Sequence, residues 1–283
     1  MAEPLIMTIK IQQLFKHVDN IPKIPEVVRQ LIKQVNDPNI DFASIAENVE
    51  KELAISVKVL RLVNSAHYGL PRQVGSIKQA IVLLGMAELK KLIITSGVIN
   101  AVSDVPGLNL DDFWLDNYRT ATYAEWIADY SKLGDSDLIF TAGLLNNLGT
   151  LLIHLGSSDI AKKIDIDIKR GTNRIASEQK HLGFTSQQVT AELCSQWQFA
   201  DELIDLITQS AEPLNFDEVS RGGCAISIAR YISQSTYSEG SEEEILTEFP
   251  HKEWQQLGLK NDAIEEKMAT MHSLDTGIDG LLD

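Results

Sequence analysis

The sequence predicts an all-α protein, with a multi-helical bundle that follows an N-terminal helical subdomain. Leucine, isoleucine, valine and alanine supply most of the 44% of residues that are hydrophobic, and aromatic residues make up only 6%. Apolar residues recur every three to four positions between proline and glycine breakers, which is the spacing of amphipathic helices. A chain of 283 residues can bury a substantial core in such a fold.

Five helices are predicted in the first hundred residues, because each apolar stripe ends at a recognisable cap or breaker. Proline ends the first helix, since it lacks a backbone donor and restricts the residue before it. Ser76 is a suitable N-cap for the fourth, and Gly85 closes it. The five predicted helices are 22–35, a helix capped by Asp41, about 52–65, 76–85 and a longer buried helix from Met86 onward.

The best internal boundary is Val105-Pro106-Gly107, after which longer helical patterns resume. Short loops between these patterns suit antiparallel helix packing. We therefore divide the chain into residues 1–103, a helical bundle over 104–238 and an acidic extension over 239–283, which we expect to be peripheral. The helices predicted in the bundle are 113–130, 137–155, 159–171, 175–182, 185–197 and 200–212.

The net charge is −15 and unevenly spread, with +3 over residues 1–103, −9 over 104–238 and −9 over 239–283. Nucleic-acid backbones bind clustered lysine and arginine, so the acidic majority of the chain argues against general nucleic-acid binding. The N-terminus resembles no leader peptide, and charged residues interrupt the apolar stretch 77–102. We expect a cytoplasmic protein with no membrane association and with two buried free thiols, Cys194 and Cys224.

Three blocks of sequence occur in a recognisable order and spacing: Ile21-Pro22-Lys23-Ile24-Pro25, then Val59-Leu60-Arg61-Leu62-Val63-Asn64-Ser65-Ala66-His67-Tyr68-Gly69, then Ser76-Ile77-Lys78-Gln79-Ala80-Ile81-Val82-Leu83-Leu84-Gly85. These blocks resemble the HDOD family. The similarity continues through Phe140-Thr141-Ala142-Gly143-Leu144-Leu145 and covers roughly residues 20–215. The signature positions are Pro22, Pro25, Asn64, Ser65, Tyr68, Gly69, Ala80 and Gly85. We interpret them as folding residues, because Asn64 and Ser65 can satisfy backbone groups at a helix end and Gly85 permits a left-handed cap or a close helix contact.

The resemblance also implies a relationship to the HD phosphohydrolases, whose histidines and aspartates hold a divalent metal that activates water. In this chain the first histidine of that pattern falls at Asp116, and the His-Asp pair falls at Asn146 and Asn147. A further histidine falls at Ser186, a His-His pair falls near Gln209, and the late aspartate falls near Arg230. Neutral amides and a cation are poor replacements for such ligands, so we expect no metal, no cofactor and no catalytic residues.

Other enzyme motifs are missing from the sequence, since it contains no GxxxxGK[ST], GxGxxG or GxSxG pattern. The resulting hypothesis is a non-catalytic signalling or regulatory module that binds a partner protein or a nucleotide messenger. Two alternatives remain open, a nucleotide-sensing pseudo-enzyme and a working metal-dependent phosphohydrolase. The sequence identifies neither the messenger or partner nor the oligomeric state.

Overall fold

The computed structural model describes residues 2–18, 21–22, 28–31, 42–65, 68, 70, 73–99, 101–102, 104–235, 242–261 and 264–275. Over these residues the regular structure is entirely helical, which confirms the predicted all-α class. The helices are α1 (Ala2–His17), α2 (Phe42–Glu50), α3 (Leu53–Val63), α4 (Ile77–Ile99), α5 (Leu110–Tyr130), α6 (Ser136–Leu145), α7 (Leu148–Gly156), α8 (Ser158–Lys169), α9 (Arg174–Leu182), α10 (Ser186–Gln196), α11 (Asp201–Gln209), α12 (Arg221–Ser235), α13 (Glu242–Thr247), α14 (His251–Gln256) and α15 (Ile264–His272).

Residues 22–103 form one compact unit, in which α2, α3 and α4 pack on one another. Its core is aliphatic and includes the fully buried Ile45, Val59 and Ile93. The signature residue Ala80 is also fully buried on α4. Pro25 and Gly69, two other signature positions, lie outside the described residues.

A kink divides α4 at Gly85, where φ is +76° and ψ is 170°. The sequence predicts one helix that ends at Gly85 and another that follows, and the non-helical backbone at this glycine separates two such segments. Its conformation is not the left-handed helical cap that we expected, because ψ is extended. Nothing lies within 4 Å of the place where a Cβ would stand, so a close helix contact does not explain the glycine.

The second compact unit contains residues 1–21 together with 104–275. Helix α5 packs along α6 and α12, and α7 packs against α10, which also contacts α11. The expected domain that begins at residue 1 therefore differs from the structure. Helix α1 belongs to this second unit because it packs on α7, where Leu14 and Val18 come so close to Gly156 that a side chain there would clash.

The expectation that the C-terminal extension is peripheral is wrong. Trp254 is 1% exposed, Phe249 is buried beside it, and α14 packs on α12. Asp275, in a short 3₁₀ turn, accepts a hydrogen bond from the Tyr123 hydroxyl at 2.7 Å and pairs with Arg119 at 2.9 Å. Aromatic burial and this ion pair attach the described part of the extension to the bundle.

The stretch Ser136–Gly156 is long and apolar enough to pass a length-and-composition test for a membrane span. It comprises α6, α7 and the turn between them, and 89% of its most apolar window is buried inside the protein. Core helices pass the same test, so the finding is weak support for a membrane segment.

Candidate functional site

The predicted helix 137–155 is in fact two helices, with the break at Asn146 and Asn147. The Asn146 side-chain amide donates to the carbonyl of Gly143, which competes with the regular helical pattern. Past the break, the Gly149 amide donates to the Thr190 hydroxyl at 2.8 Å. Both asparagines lie at the bend, with 0% and 6% of their surfaces exposed.

Two glycines allow the neighbouring helices to approach this bend. A Cβ on Gly149 would lie 2.0 Å from the backbone oxygen of Ser186, and one on Gly143 would lie 2.9 Å from the Cα of Ala121. Such distances cannot be accommodated by small shifts. The glycines therefore bring α7 against the start of α10, and α6 against α5.

The first residues of α10 contact the bend through Gln187. The Gln187 side-chain amide donates to the amide oxygen of Asn147 at 3.3 Å, and both side chains are buried. The amide oxygen of Asn146 is also buried and has no hydrogen-bond partner among the described residues. Asn147 thus has a protein partner where a metal ligand of the HD pattern is expected.

Glu178 is a buried member of this site that the sequence analysis missed. Its carboxylate accepts hydrogen bonds from the Ser186 backbone at 2.7 Å and from the Ser186 hydroxyl at 3.0 Å. Its second oxygen lies 3.5 Å from the Arg174 guanidinium, and the Glu178 side chain is 0% exposed. Because the Glu178 carboxylate accepts both of these hydrogen bonds, it connects α9 to the start of α10.

Asp116 lies on α5 and contacts α12. Its carboxylate accepts a 2.5 Å hydrogen bond from the Ser233 hydroxyl on α12. Burial raises the pKa of Asp116, against the opposing effects of the Ser233 hydrogen bond and of the nearby Arg230, Arg119 and Arg174 guanidinium groups. Asp116 is therefore already held by a hydroxyl and surrounded by cations.

Arg230 on α12 interacts electrostatically with both Asp116 and Glu178. One guanidinium nitrogen donates to the carbonyl of Ser210 at 3.1 Å, and another is buried without a hydrogen bond in the described part of the chain. Burial lowers the pKa of Arg230, and the nearby Arg174 guanidinium lowers it further. The Glu178 and Asp116 carboxylates raise it. Because a guanidinium ordinarily titrates far above neutral pH, Arg230 remains charged.

An ion-pair chain continues outward from Arg174. Its guanidinium lies 3.5 Å from Asp165, whose other oxygen lies 3.6 Å from the buried His154 ring. The His154 ring also lies within hydrogen-bonding distance, 3.3 Å, of the carbonyl of Pro106. Arg174 thus pairs with Asp165 and Glu178, and Arg119 pairs with Asp275.

The structure places most of the predicted positions around one buried cluster. Asn147 joins it through Gln187, Ser186 joins it through Glu178, and Arg230 interacts electrostatically with both Asp116 and Glu178. Gln209 is only partly buried, and its neighbour Ser210 provides the contact to Arg230. The correspondence of these positions to HD metal ligands remains a prediction.

A divalent metal does not fit these residues. No group of three or more histidine, cysteine, aspartate or glutamate side chains is close enough to hold an ion within the described ranges. The Asp116 carboxylate already accepts a hydrogen bond from the Ser233 hydroxyl, and one oxygen of Glu178 accepts two from Ser186 while the other lies 3.5 Å from the Arg174 guanidinium. Metal ligation requires such oxygens to be available together with an open position for water.

The signature residues of the other unit have structural contacts. Asn64 exchanges two hydrogen bonds with the backbone of Val74, at 2.8 and 2.7 Å, and so fixes the connection between α3 and α4. The Ser65 hydroxyl is buried. Burial raises the pKa of Tyr68, as does the Glu88 carboxylate, whereas Lys91 lowers it. Pro22 is also buried.

Comparison with known proteins gives a consistent assignment. The family model of the HDOD domain matches residues 21–213. A crystal structure of a candidate phosphohydrolase from Shewanella amazonensis is 28% identical, with a TM-score of 0.77 over 96% of this chain and 98% of that one.

Among curated proteins, an uncharacterised protein from Treponema pallidum is 24% identical over 67% of this chain and 37% of its own length. The cyclic di-GMP phosphodiesterase CdgJ from Vibrio cholerae is 29% identical over 44% of this chain and 28% of its own length. The matched regions thus span about a third of the length of these two curated relatives.

Proposed function

This chain belongs to the HDOD domain family, and we propose that it is a non-catalytic regulatory module that binds a signalling protein or a nucleotide messenger. Its family links it to signalling and to HD phosphohydrolase-like folds. We also infer that it acts in the cytoplasm, since its most membrane-like segment is largely buried in the helical core.

The observation that carries the proposal is the Arg230 guanidinium, which donates to the Ser210 carbonyl and interacts electrostatically with Asp116 and Glu178. A fixed positive charge opposes a divalent ion that would share the same carboxylates. At an effective dielectric constant near 20, a divalent and a monovalent cation roughly 6 Å apart repel each other by about 5 kcal/mol. Such a repulsion weakens the binding of a divalent ion at these carboxylates, so Arg230 takes the place of the metal's positive charge.

The hydrogen bonds of the cluster support the same conclusion. Each of three polar side chains accepts a hydrogen bond from a neighbouring residue: Glu178 from Ser186, Asn147 from Gln187 and Asp116 from Ser233. A catalytic metal centre instead needs an open coordination position and a polarised water. The cluster is better suited to holding α5, α7, α10 and α12 together than to supporting hydrolysis.

The alternative is a metal-dependent phosphohydrolase. It is favoured by the name of the Shewanella amazonensis relative, which is similar along almost its whole length. The name of CdgJ points the same way, but the match covers only 28% of that protein, and its activity belongs to the protein as a whole. Fold similarity alone does not transfer an activity.

Turnover measurements separate the two functions. The purified chain is assayed with a chromogenic phosphodiester, cyclic dinucleotides and nucleoside triphosphates, each with manganese, magnesium or iron. The proposal predicts no turnover above the Asp116→Ala variant. Turnover that depends on a metal and is lost in Asp116→Ala would establish the phosphohydrolase. A thermal-shift panel with the same nucleotides distinguishes a messenger-binding module, which should melt higher with one of them, from a protein-binding one.

A further inference from the structure

A groove lies between α13 and α15, on the C-terminal part of the second unit. It consists of two adjoining cavities of about 450 and 180 Å³, which share Leu246 and Glu265 as lining residues. Met268 and Ala269 complete its apolar lining from α15. Glu243 and Thr247 line the larger cavity from α13.

Both walls of the groove are fixed to the bundle. On one side, the Tyr231 hydroxyl of α12 donates to the Ile245 carbonyl of α13 at 2.5 Å. On the other, α15 buries Met271 completely and leads into Asp275, which binds Tyr123 on α5. A groove that is already formed loses little conformational entropy on binding, so it can bind a partner without refolding.

Two carboxylates, Glu243 and Glu265, line the groove, together with the His272 imidazole in the smaller cavity. Glu243 and Glu265 are exposed, and neither pairs with a cation among the described residues. The nearby Lys267 is already engaged, because its ammonium pairs with Glu266 at 2.9 Å and lies 5.2 Å from the Tyr130 ring. Residues 239–283 carry a formal charge of −9 in the sequence. Phosphate-bearing ligands are therefore disfavoured here.

We propose that this groove binds a basic amphipathic helix of a partner protein. An apolar side chain of such a helix would sit against Leu246, Met268 and Ala269, and lysine or arginine on its flanks would face Glu243 and Glu265. This is the helix-in-groove mode of recognition, in which methionine adapts to the shape of the inserted side chain. Charge complementarity selects the basic partner. The inference rests on the proposed regulatory role and names the chemistry of its partner.

The test uses the full-length chain and a fluorescent peptide of about 14 residues, roughly four helical turns, with leucine at helical spacing and lysine elsewhere. A second peptide with glutamate in place of lysine is the ligand control. The double variant Glu243→Lys/Glu265→Lys alters the groove, and Leu246→Gln weakens its apolar floor. The matched control is Asp217→Lys/Glu218→Lys, two exposed acids just before α12 that change the net charge equally.

Fluorescence anisotropy should show binding of the lysine peptide and none of the glutamate peptide. We expect the Glu243→Lys/Glu265→Lys variant to weaken binding about tenfold and the control to weaken it less than about twofold. Leu246→Gln should also weaken it. Absence of binding, or an equal loss in the groove and control variants, would overturn the inference. The turnover assay is independent of this result, so failure of the groove can be distinguished from failure of the non-catalytic assignment.

Discussion

Replacing Gly85 by alanine should destabilise the unit of residues 22–103, and the structure assigns the cause to the backbone alone. At φ +76° and ψ 170° the residue occupies a region that is essentially restricted to glycine. An added Cβ would meet nothing within 4 Å. Holding an L-residue in such a conformation costs about 1 to 3 kcal/mol, and no steric clash with another residue adds to that figure.

The matched control is Gly75→Ala, in the same unit. Gly75 is exposed, its φ lies outside the positive region, and its Cβ would also meet nothing within 4 Å. The control should be neutral or stabilising by up to about 1 kcal/mol, because alanine reduces the entropy of the unfolded chain. Gly85→Val should cost at least as much as Gly85→Ala, because valine is stiffer than alanine.

The assay is urea unfolding followed by far-ultraviolet circular dichroism, with all variants measured at one pH. We expect Gly85→Ala to unfold at a lower urea concentration than the parent. Gly75→Ala should unfold at the same or a higher concentration. If Gly85→Ala unfolds at the same urea concentration as the parent, backbone strain does not explain this glycine, and the signature position has another role.

Three further predictions concern polar contacts. Asn64→Ala should cost about 1 to 3 kcal/mol in urea unfolding, because both backbone groups of Val74 lose their partner; an unchanged midpoint would contradict this. Hydrogen bonds from Lys180 and His181 lower the pKa of Asp167 to about 2. The ionised Asp167 therefore stabilises the fold fully above its unfolded pKa near 4, and this contribution is lost as the pH falls towards 2. Stability of Asp167→Asn should therefore depend less on pH in this range than that of the parent; parallel curves would refute the assignment. Asp275→Ala should lower the melting temperature more than Asp217→Ala, which changes an exposed aspartate, because it removes an acceptor of the buried Tyr123 hydroxyl; equal melting temperatures would contradict this.

The sequence predicted the helical class well, because an aliphatic stripe with clear breakers specifies a helix without tertiary information. The compact unit that resumes at residue 104 begins next to Val105-Pro106-Gly107, which the sequence marks as a breaker. The role of the extension was not visible, because its acidic composition hides Phe249 and Trp254, which are buried only through contacts with distant helices. A local charge pattern cannot report such long-range packing.

The site was only partly predictable. The resemblance pointed to Asp116, Asn147 and Arg230, but their contacts depend on residues that no pattern marked. Glu178 looks like an ordinary helix-surface glutamate, and its burial becomes apparent only when Ser186 lies against it. The break after α6 was missed for the same reason, because apolar periodicity continues across residues 146–147 and the competing hydrogen bonds come from side chains.

The metal content of the purified protein tests the central claim most directly. The full-length chain is incubated with excess manganese, dialysed against metal-free buffer and subjected to elemental analysis, alongside Arg230→Asp, which restores the carboxylate of the HD pattern. Because the parent keeps a guanidinium beside Asp116 and Glu178, it should retain less than about 0.1 equivalent, as expected of a weak oxygen-ligand association. Retention of about one equivalent by the parent, lost in Asp116→Ala, would contradict the account and favour the phosphohydrolase.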